Sequence, residues 1–150
     1  MEHGLIKTFD QLTTRELHAI YYLRAEVFVV EQNCPYQDID AIDLEAFHLQ
    51  IYEHSNLVAY ARLMAPNEQR AYSKIGRVVT SATVRGRGYG KELMKTAINF
   101  CFSKYPQTPI VISAQQYLLK FYTDLGFTAE GEAYLEDNIP HQQMRLLPKL

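Results

Sequence analysis

The spacing of hydrophobic positions changes several times along the chain, and each change predicts a new element. Residues 47–52 alternate between apolar and polar side chains, which predicts a strand with one face buried. From Tyr89 to about Lys104 apolar side chains recur at helical spacing, which predicts a helix packed on one side. Residues 109–114, PIVISA, form a short, mostly apolar run that is typical of a buried strand.

Extended over the whole chain, this pattern predicts the order β-α-β-β-β-α-β-α-β-β, with a long polar connection at 31–45 after the first helix. Thr13 and Glu16 have capping-box spacing and begin that helix, which extends to about Val30. Gly126 closes the last helix. The predicted strands are 5–9, 47–52, 57–64, 76–81, 109–114, 128–135 and 141–147.

These elements combine an antiparallel meander with one βαβ crossover. They predict a mixed α/β (α+β) fold, with a helix-covered sheet in which most strands are antiparallel. The chain has no repeats, low-complexity tracts or linkers, so we expect a single domain over residues 1–150.

Cysteine spacing and hydropathy indicate where the protein is expected to reside and which kinds of site it is expected to lack. No apolar run approaches the ~20 residues of a membrane helix. The segment MEHGLIKTFDQL lacks a basic leader and an apolar signal core. Cys34 and Cys101 show neither zinc-site nor redox-pair spacing. We therefore expect a cytoplasmic protein with free thiols, without a membrane partner and without a metal.

Charge is distributed unevenly. Between Arg24 and Arg62 the chain has no Lys or Arg but seven acidic residues, whereas nine basic residues between Arg62 and Lys104 face only Glu68 and Glu92. One part could attract a cation and the next an anion, although charge counts alone favour solvated faces. No basic stripe with interleaved aromatic residues indicates nucleic acid.

Residues 78–94, VVTSATVRGRGYGKELM, join a predicted strand to a predicted helix through glycines at alternate positions. Such a junction can bind an anion, because free N–H groups and the helix dipole converge there. Two nucleotide motifs fail on spacing. The dinucleotide fingerprint requires Gly where Lys91 stands, and the Walker A pattern requires Gly and Ser or Thr where Arg85 and Glu92 stand.

The pattern Arg85-x-x-Gly88-x-Gly90 resembles the signature of the GCN5-related N-acetyltransferase (GNAT) superfamily. FYTDLGF, at 121–127, is similar to that family's second motif. The further segments LRAEVFVVEQNCPYQDID, IGRVVTS, SAQ and YLEDNIPHQQMR, together with His48, resemble the ElaA-like branch. The resemblance covers nearly the whole chain.

This resemblance implies a GNAT fold with a central seven-stranded sheet, helices on both faces and a splay between strands 4 and 5. The splay would receive the pantetheine arm of acetyl-CoA as co-substrate, and acetyl would pass directly to an amine in a ternary complex. The implied coenzyme-binding positions are Val78, Val79, Thr80, Arg85, Gly86, Arg87, Gly88, Tyr89, Gly90 and Lys91.

For catalysis, Tyr122 matches the family's thiolate-protonating tyrosine, although an aromatic side chain on an amphipathic helix can also serve packing alone. Many members carry a carboxylate on strand 4, where this chain has Arg77. Candidates for the general base, apart from a water relay, are Glu31, His48, Glu136 and His141. His48 alternates away from its apolar neighbours and could therefore face an opening, although a lone strand histidine is more often only hydrogen-bonded or surface-exposed.

The acceptor cleft would be flanked by the acidic loop Asp38–Glu45 and the LEDNIP turn, which favours a cationic amine, either a small molecule or a peptide. The candidate acceptor residues are Cys34, Tyr36, Asp38, Glu136 and His141. Two alternatives stay open: a non-catalytic acyl-CoA-binding or sensing module, and an enzyme similar to acyl-homoserine-lactone synthases. An exposed edge in the C-terminal strands is compatible with a homodimer.

Overall fold

The helices and strands follow the predicted order with two differences. The fold is taken from a computed structural model, which describes residues 4–149. The α-helices are α1 (Thr14–Arg24), α2 (Tyr89–Lys104) and α3 (Leu119–Asp124). The strands are β1 (Leu5–Thr8), β2 (Phe47–Glu53), β3 (Asn56–Met64), β4 (Ser73–Thr80), β5 (Ile110–Gln115), β6 (Thr128–Ala129), β7 (Tyr134–Glu136) and β8 (Ile139–Leu146). The single-domain prediction also covers residues 1–3 and 150, which lie outside the described part.

All eight strands form one mixed sheet, in the order β1-β2-β3-β4-β5-β8-β6, with β7 also paired to β8. Only β4 and β5 are parallel. The predicted mixed α/β fold is confirmed, but the sheet has eight strands instead of seven. The single strand predicted over 128–135 is divided, because the chain leaves the sheet after Ala129 and Gly131 adopts a left-handed φ of +73° that an extended strand does not contain.

The first helix changes its form near the cavity described below. Thr13 accepts the backbone N–H of Glu16, as the capping-box pattern predicts, and α1 ends at Arg24. Helical structure then continues through Ala25–Glu31 as a π-helix. π-Helical segments are rare and are often found at functional sites.

Two hydrophobic layers cover the sheet. On the α2 and α3 side, Leu49 and Ile51 pack with Leu93 of α2, and all three are fully buried. On the α1 side, Ile20 and Tyr60 lie in a smaller cluster. The alternation predicted for β2 therefore separates two buried faces, and not a core face from solvent. Within residues 4–149 no helix is long and apolar enough to cross a bilayer.

β4 and β5 separate after a short parallel contact. They pair only at Ser73 with Ile110 and at Lys74 with Val111. Further along, the register of β4 against β3 shifts, and Arg77 within this bulge has a left-handed φ of +50°. The bulge and the divergence together form the splay between strands 4 and 5.

Candidate active site

A cavity of about 690 Å³ passes through the splay between β4 and β5. Ile112 and Tyr122, which line it, belong to the hydrophobic layer on the α2 and α3 side. Phe28 and Val79, which also line it, belong to the layer on the α1 side. Because its walls come from both layers, the cavity connects the two faces of the sheet.

The glycine-rich junction forms one end of this cavity. Gly86 and Gly88 have φ values of +78° and +84°, and a Cβ on either would meet nothing within 4 Å. Glycine is therefore required by backbone conformation and not by crowding. The first intrahelical bond of α2 is donated by Glu92 N–H to the Gly88 carbonyl at 3.1 Å.

The backbone N–H groups of Arg85, Gly86 and Gly88 donate no hydrogen bond within residues 4–149. They lie at the positive end of the 16-residue helix α2. Open space above left-handed glycines, together with free amides, fits the diphosphate of a coenzyme A thioester.

The arginines of this junction are already paired with carboxylates. The Arg85 guanidinium forms an ion pair with Glu31, with Nη2 2.9 Å from Oε2, and also donates to the Thr80 carbonyl at 3.2 Å. This hydrogen bond from Arg85 lowers the pKa of Glu31. Arg87 donates to Glu53 at 2.8 Å and does not line the cavity.

The remaining predicted coenzyme-binding residues do line the cavity. They are Val78, Val79, Thr80, Arg85, Gly86, Gly88, Tyr89, Gly90 and Lys91. The Tyr89 hydroxyl also donates to Glu53, so it is held on the same side of the junction as Arg87. The predicted contact set is therefore brought together around one cavity, with Arg87 excepted.

Tyr122 lies in the middle of the cavity wall. It is 5 % exposed and is held edge-on by Phe121 and Phe127, with ring centroids 5.0 and 6.0 Å away. Its hydroxyl has no hydrogen-bond partner among the described residues. Burial raises the pKa of the phenol, so Tyr122 stays protonated and can donate that proton to an occupant of the cavity.

Glu136 and His141 also line the cavity and contact each other. His141 Nδ1 lies 2.6 Å from the Ile139 carbonyl, and because a carbonyl only accepts, Nδ1 carries the proton and donates. Nε2 then faces the Glu136 carboxylate at 3.4 Å. Ser113, from β5, contacts Glu136 at 3.5 Å and the Tyr134 hydroxyl at closer range.

His48 is not at the cavity, and the hypothesis that it faces an opening was wrong. Its side chain is 0 % exposed, with Nε2 donating to the Asp43 carbonyl at 2.8 Å and Nδ1 accepting from the Tyr60 hydroxyl at 2.6 Å. The alternation correctly placed it opposite Leu49, but that face is covered by the loop after the π-helix. Burial lowers the pKa of His48, so the ring is neutral.

The acidic loop is also turned inward, which removes the reason given for a cationic substrate. Asp38 does not line the cavity and is 6 % exposed. Arg24 donates to Asp38 at 2.9 Å and to Asp43 at 2.7 Å. The whole network comprises Arg24, Arg62, Arg77, Asp38, Asp40 and Asp43. Three guanidinium groups therefore balance three carboxylates within the protein.

Cys34 and Tyr36 do line the cavity, and the Cys34 thiol donates to the Asp137 carbonyl at 3.3 Å. Ser113 and its partner Tyr134 were missed, whereas Asp137 was predicted only as part of the LEDNIP turn. Ser113 was detectable as the polar position in the apolar run PIVISA. No local signal identified Tyr134, because its contacts depend on how β7 pairs with β8.

Within residues 4–149 no three His, Cys, Asp or Glu side chains converge as metal ligands. The groups that the cavity offers for chemistry include its amides, the Tyr122 phenol and the His141–Glu136 pair.

Comparison with known proteins agrees with this geometry. The family described as "Acetyltransferase (GNAT) domain" matches residues 13–148. The crystal structure of an acyl-CoA N-acyltransferase from Pseudomonas aeruginosa superimposes with a TM-score of 0.91 at 43% identity, over 95% of this chain and 97% of that one. A CoA-dependent acyl-homoserine lactone synthase superimposes with a TM-score of 0.78 at 16% identity, over 98% of this chain and 82% of that one, which shows a shared fold.

Protein ElaA of Escherichia coli is 41% identical over 134 residues, which are 88% of each chain. Its crystal structure superimposes with a TM-score of 0.90, over 97% of this chain and 99% of that one. The chain therefore belongs to the GNAT acetyltransferase family, in its ElaA-like branch.

Proposed function

We propose that this protein transfers an acetyl group from acetyl-CoA to a primary amine, by direct attack in a ternary complex. Family membership supports acyl transfer from a CoA-linked donor in general. The observation that carries the finer proposal is the unpartnered hydroxyl of Tyr122, which lies in one cavity with the glycine junction and the His141–Glu136 pair.

The donor end would use backbone groups. The free amides of Arg85, Gly86 and Gly88 would hold the diphosphate, and the thioester would enter the splay alongside Val78–Thr80. These residues follow the last pair between β4 and β5, so their cavity side is not occupied by a neighbouring strand. Successive N–H groups of a strand point to alternate edges, so those directed away from β3 can polarise the thioester carbonyl.

Two side chains would move protons. The amine nitrogen forms a bond to the carbonyl carbon, the carbon–sulfur bond breaks, and the thiolate takes a proton from Tyr122, which is later replaced from solvent. The amine loses its proton to Nε2 of His141, and Glu136 at 3.4 Å stabilises the imidazolium that results. Glu31 is not used, because it is paired with Arg85.

The charges at the acceptor end favour a cationic amine. The residues responsible differ from the acidic loop that the sequence analysis proposed. Arg77 and Arg85 line the cavity but are each paired with carboxylates. Glu136 and Asp137 also line it, and among residues 4–149 neither forms an ion pair with a Lys or Arg, whereas the lining Lys91 belongs to the glycine junction. A polyamine-like small molecule or a basic peptide would fit this field.

The test is release of free thiol from acetyl-CoA in the presence of an amine panel, together with calorimetry of coenzyme A binding. We expect micromolar to millimolar binding and thiol release that is greatest with cationic amines. Binding without thiol release for any amine would instead support the acyl-CoA-sensing alternative. Thiol release only from longer acyl donors would support synthase-like chemistry. Absence of coenzyme A binding would rule out the proposed function and both alternatives.

A further inference from the structure

Arg77 adopts a backbone conformation that its position in the fold does not explain. Six non-glycine residues within 4–149 have positive φ. Five of them lie in turns, namely Asn33, His54, Ser55, Asp137 and Asn138. Arg77 alone lies inside a strand, at the bulge of β4. A left-handed residue without the freedom of glycine costs free energy, so other contacts must hold it there.

The side chain of Arg77 provides those contacts. Nε donates to Asp38 Oδ1 at 2.7 Å, and Nη2 donates to the Asp38 carbonyl at 3.1 Å. Nη2 also lies 3.4 Å from Asp40 Oδ2, and the guanidinium stacks over the Tyr36 ring with 5.7 Å to the centroid. Asp38 also accepts a hydrogen bond from the buried Arg24 at 2.9 Å, so its loop is held in place independently of Arg77.

The link joins two different walls of the cavity. Arg77 directly precedes Val78–Thr80, the part of β4 that faces the splay. The Asp38 loop carries Cys34 and Tyr36, which line the cavity from the other side. The Tyr36 hydroxyl donates to the same Asp38 oxygen that receives Arg77, at 3.0 Å. One carboxylate therefore fixes the bulge and the Tyr36 side chain relative to each other.

We propose that Arg77 is a positioning residue, whose ion pair with Asp38 holds the Cys34–Asp38 loop against the β4 bulge and thereby sets where the acceptor amine meets the acyl group. The inference rests on the proposed function. Arg77 lines the cavity, but Asp38 and Asp40 engage its guanidinium, so it acts through Asp38 and Tyr36.

Arg77→Gly tests the link, because glycine accepts φ of +50° and the substitution removes the side chain without straining the backbone. We expect kcat/KM for the amine to fall about 10- to 100-fold, because the Cys34–Asp38 loop would no longer be held in place against β4. The Kd for coenzyme A should stay unchanged within about twofold. Arg77→Lys keeps the positive charge but lacks the planar guanidinium. Its kcat/KM should therefore lie between those of Arg77→Gly and the wild type. Arg145→Gly is the control, since Arg145 does not line the cavity and pairs with Glu130 at 2.9 Å.

Unchanged kcat/KM in Arg77→Gly would overturn the proposal, and so would loss of coenzyme A binding, which would place the effect on the donor side. A second readout does not need turnover: hydrogen exchange at residues 33–44 should accelerate in Arg77→Gly and not in Arg145→Gly. If the wild type binds coenzyme A but acetylates no amine, the proposed function fails while exchange still decides the link. Unchanged exchange would reject the link whatever the activity.

Discussion

Glu31 and Arg85, which both line the cavity, form an ion pair, with Arg85 Nη2 2.9 Å from Glu31 Oε2. Glu31 ends the π-helix and Arg85 begins the glycine junction, and 54 residues separate them in the chain. Glu31, a candidate general base, is therefore paired with Arg85, a candidate phosphate ligand.

Glu31→Gln should separate these two roles. If Glu31 only neutralises Arg85, the substitution frees a guanidinium for the coenzyme phosphates, and the Kd for coenzyme A should fall about two- to fivefold, as for an exposed pair. Turnover should stay within about threefold of the wild type when acetyl-CoA is saturating. Calorimetry and steady-state thiol release measure the two effects, with Glu45→Gln as an exposed acidic control. A fall in kcat of about 100-fold would identify Glu31 as the base.

Gly88→Ala and Gly131→Ala form a matched pair. Both glycines have left-handed φ, +84° and +73°, and in both cases a Cβ would meet nothing within 4 Å. Each substitution should lower the free energy of unfolding by about 1–2 kcal/mol, which urea titration measures. Only Gly88→Ala should weaken coenzyme A binding, by about tenfold or more, because the amides of the junction move. Equal Kd values for the two variants would rule out the glycine junction as the diphosphate site.

Tyr122→Phe should lower kcat by about 100-fold while the Kd for coenzyme A stays the same. The free energy of unfolding should change by less than about 0.5 kcal/mol, because the hydroxyl has no protein partner to lose. Tyr117→Phe is the control, since Tyr117 lines the cavity but is 74% exposed. Rapid-quench measurement of the acetyl-transfer step shows whether chemistry is affected, and an unchanged rate for that step would exclude Tyr122 as the acid.

His48 should make stability fall at acidic pH. Burial lowers its pKa in the folded state, so below pH 6.5 the unfolded chain binds a proton that the folded chain does not. The free energy of unfolding should therefore decrease as the pH falls from 6.5, by up to about 1.4 kcal/mol per pH unit from this group. His48→Gln should be less stable at pH 7.5 but should lose that part of the slope, whereas exposed His18→Gln should keep it. Urea midpoints at pH 7.5, 6.5 and 5.5 provide the comparison, and identical slopes for His48→Gln and wild type would contradict the assignment.

The order of most elements and the grouping of the glycine-junction residues at one cavity could be predicted from the sequence, because both depend on local information. Alternation in β2 and helical spacing in α2 report which side chains share a face. The glycines at 86 and 88 report a left-handed turn directly, since few other residues adopt it. The spacing between Arg85 and Gly90, together with FYTDLGF and the matching segments elsewhere in the chain, indicated the family.

Only the tertiary structure decided what covers each face and which charges are free. Periodicity placed His48 opposite Leu49, but whether that face meets water depended on a loop folded over it. The acidic loop appeared to be an attractive surface for a cation until Arg24 and Arg77, 14 and 39 residues from Asp38, were seen to neutralise it. An ion pair is set by distance in space, and distance in space between remote residues exists only once the sheet and its covering layers have packed.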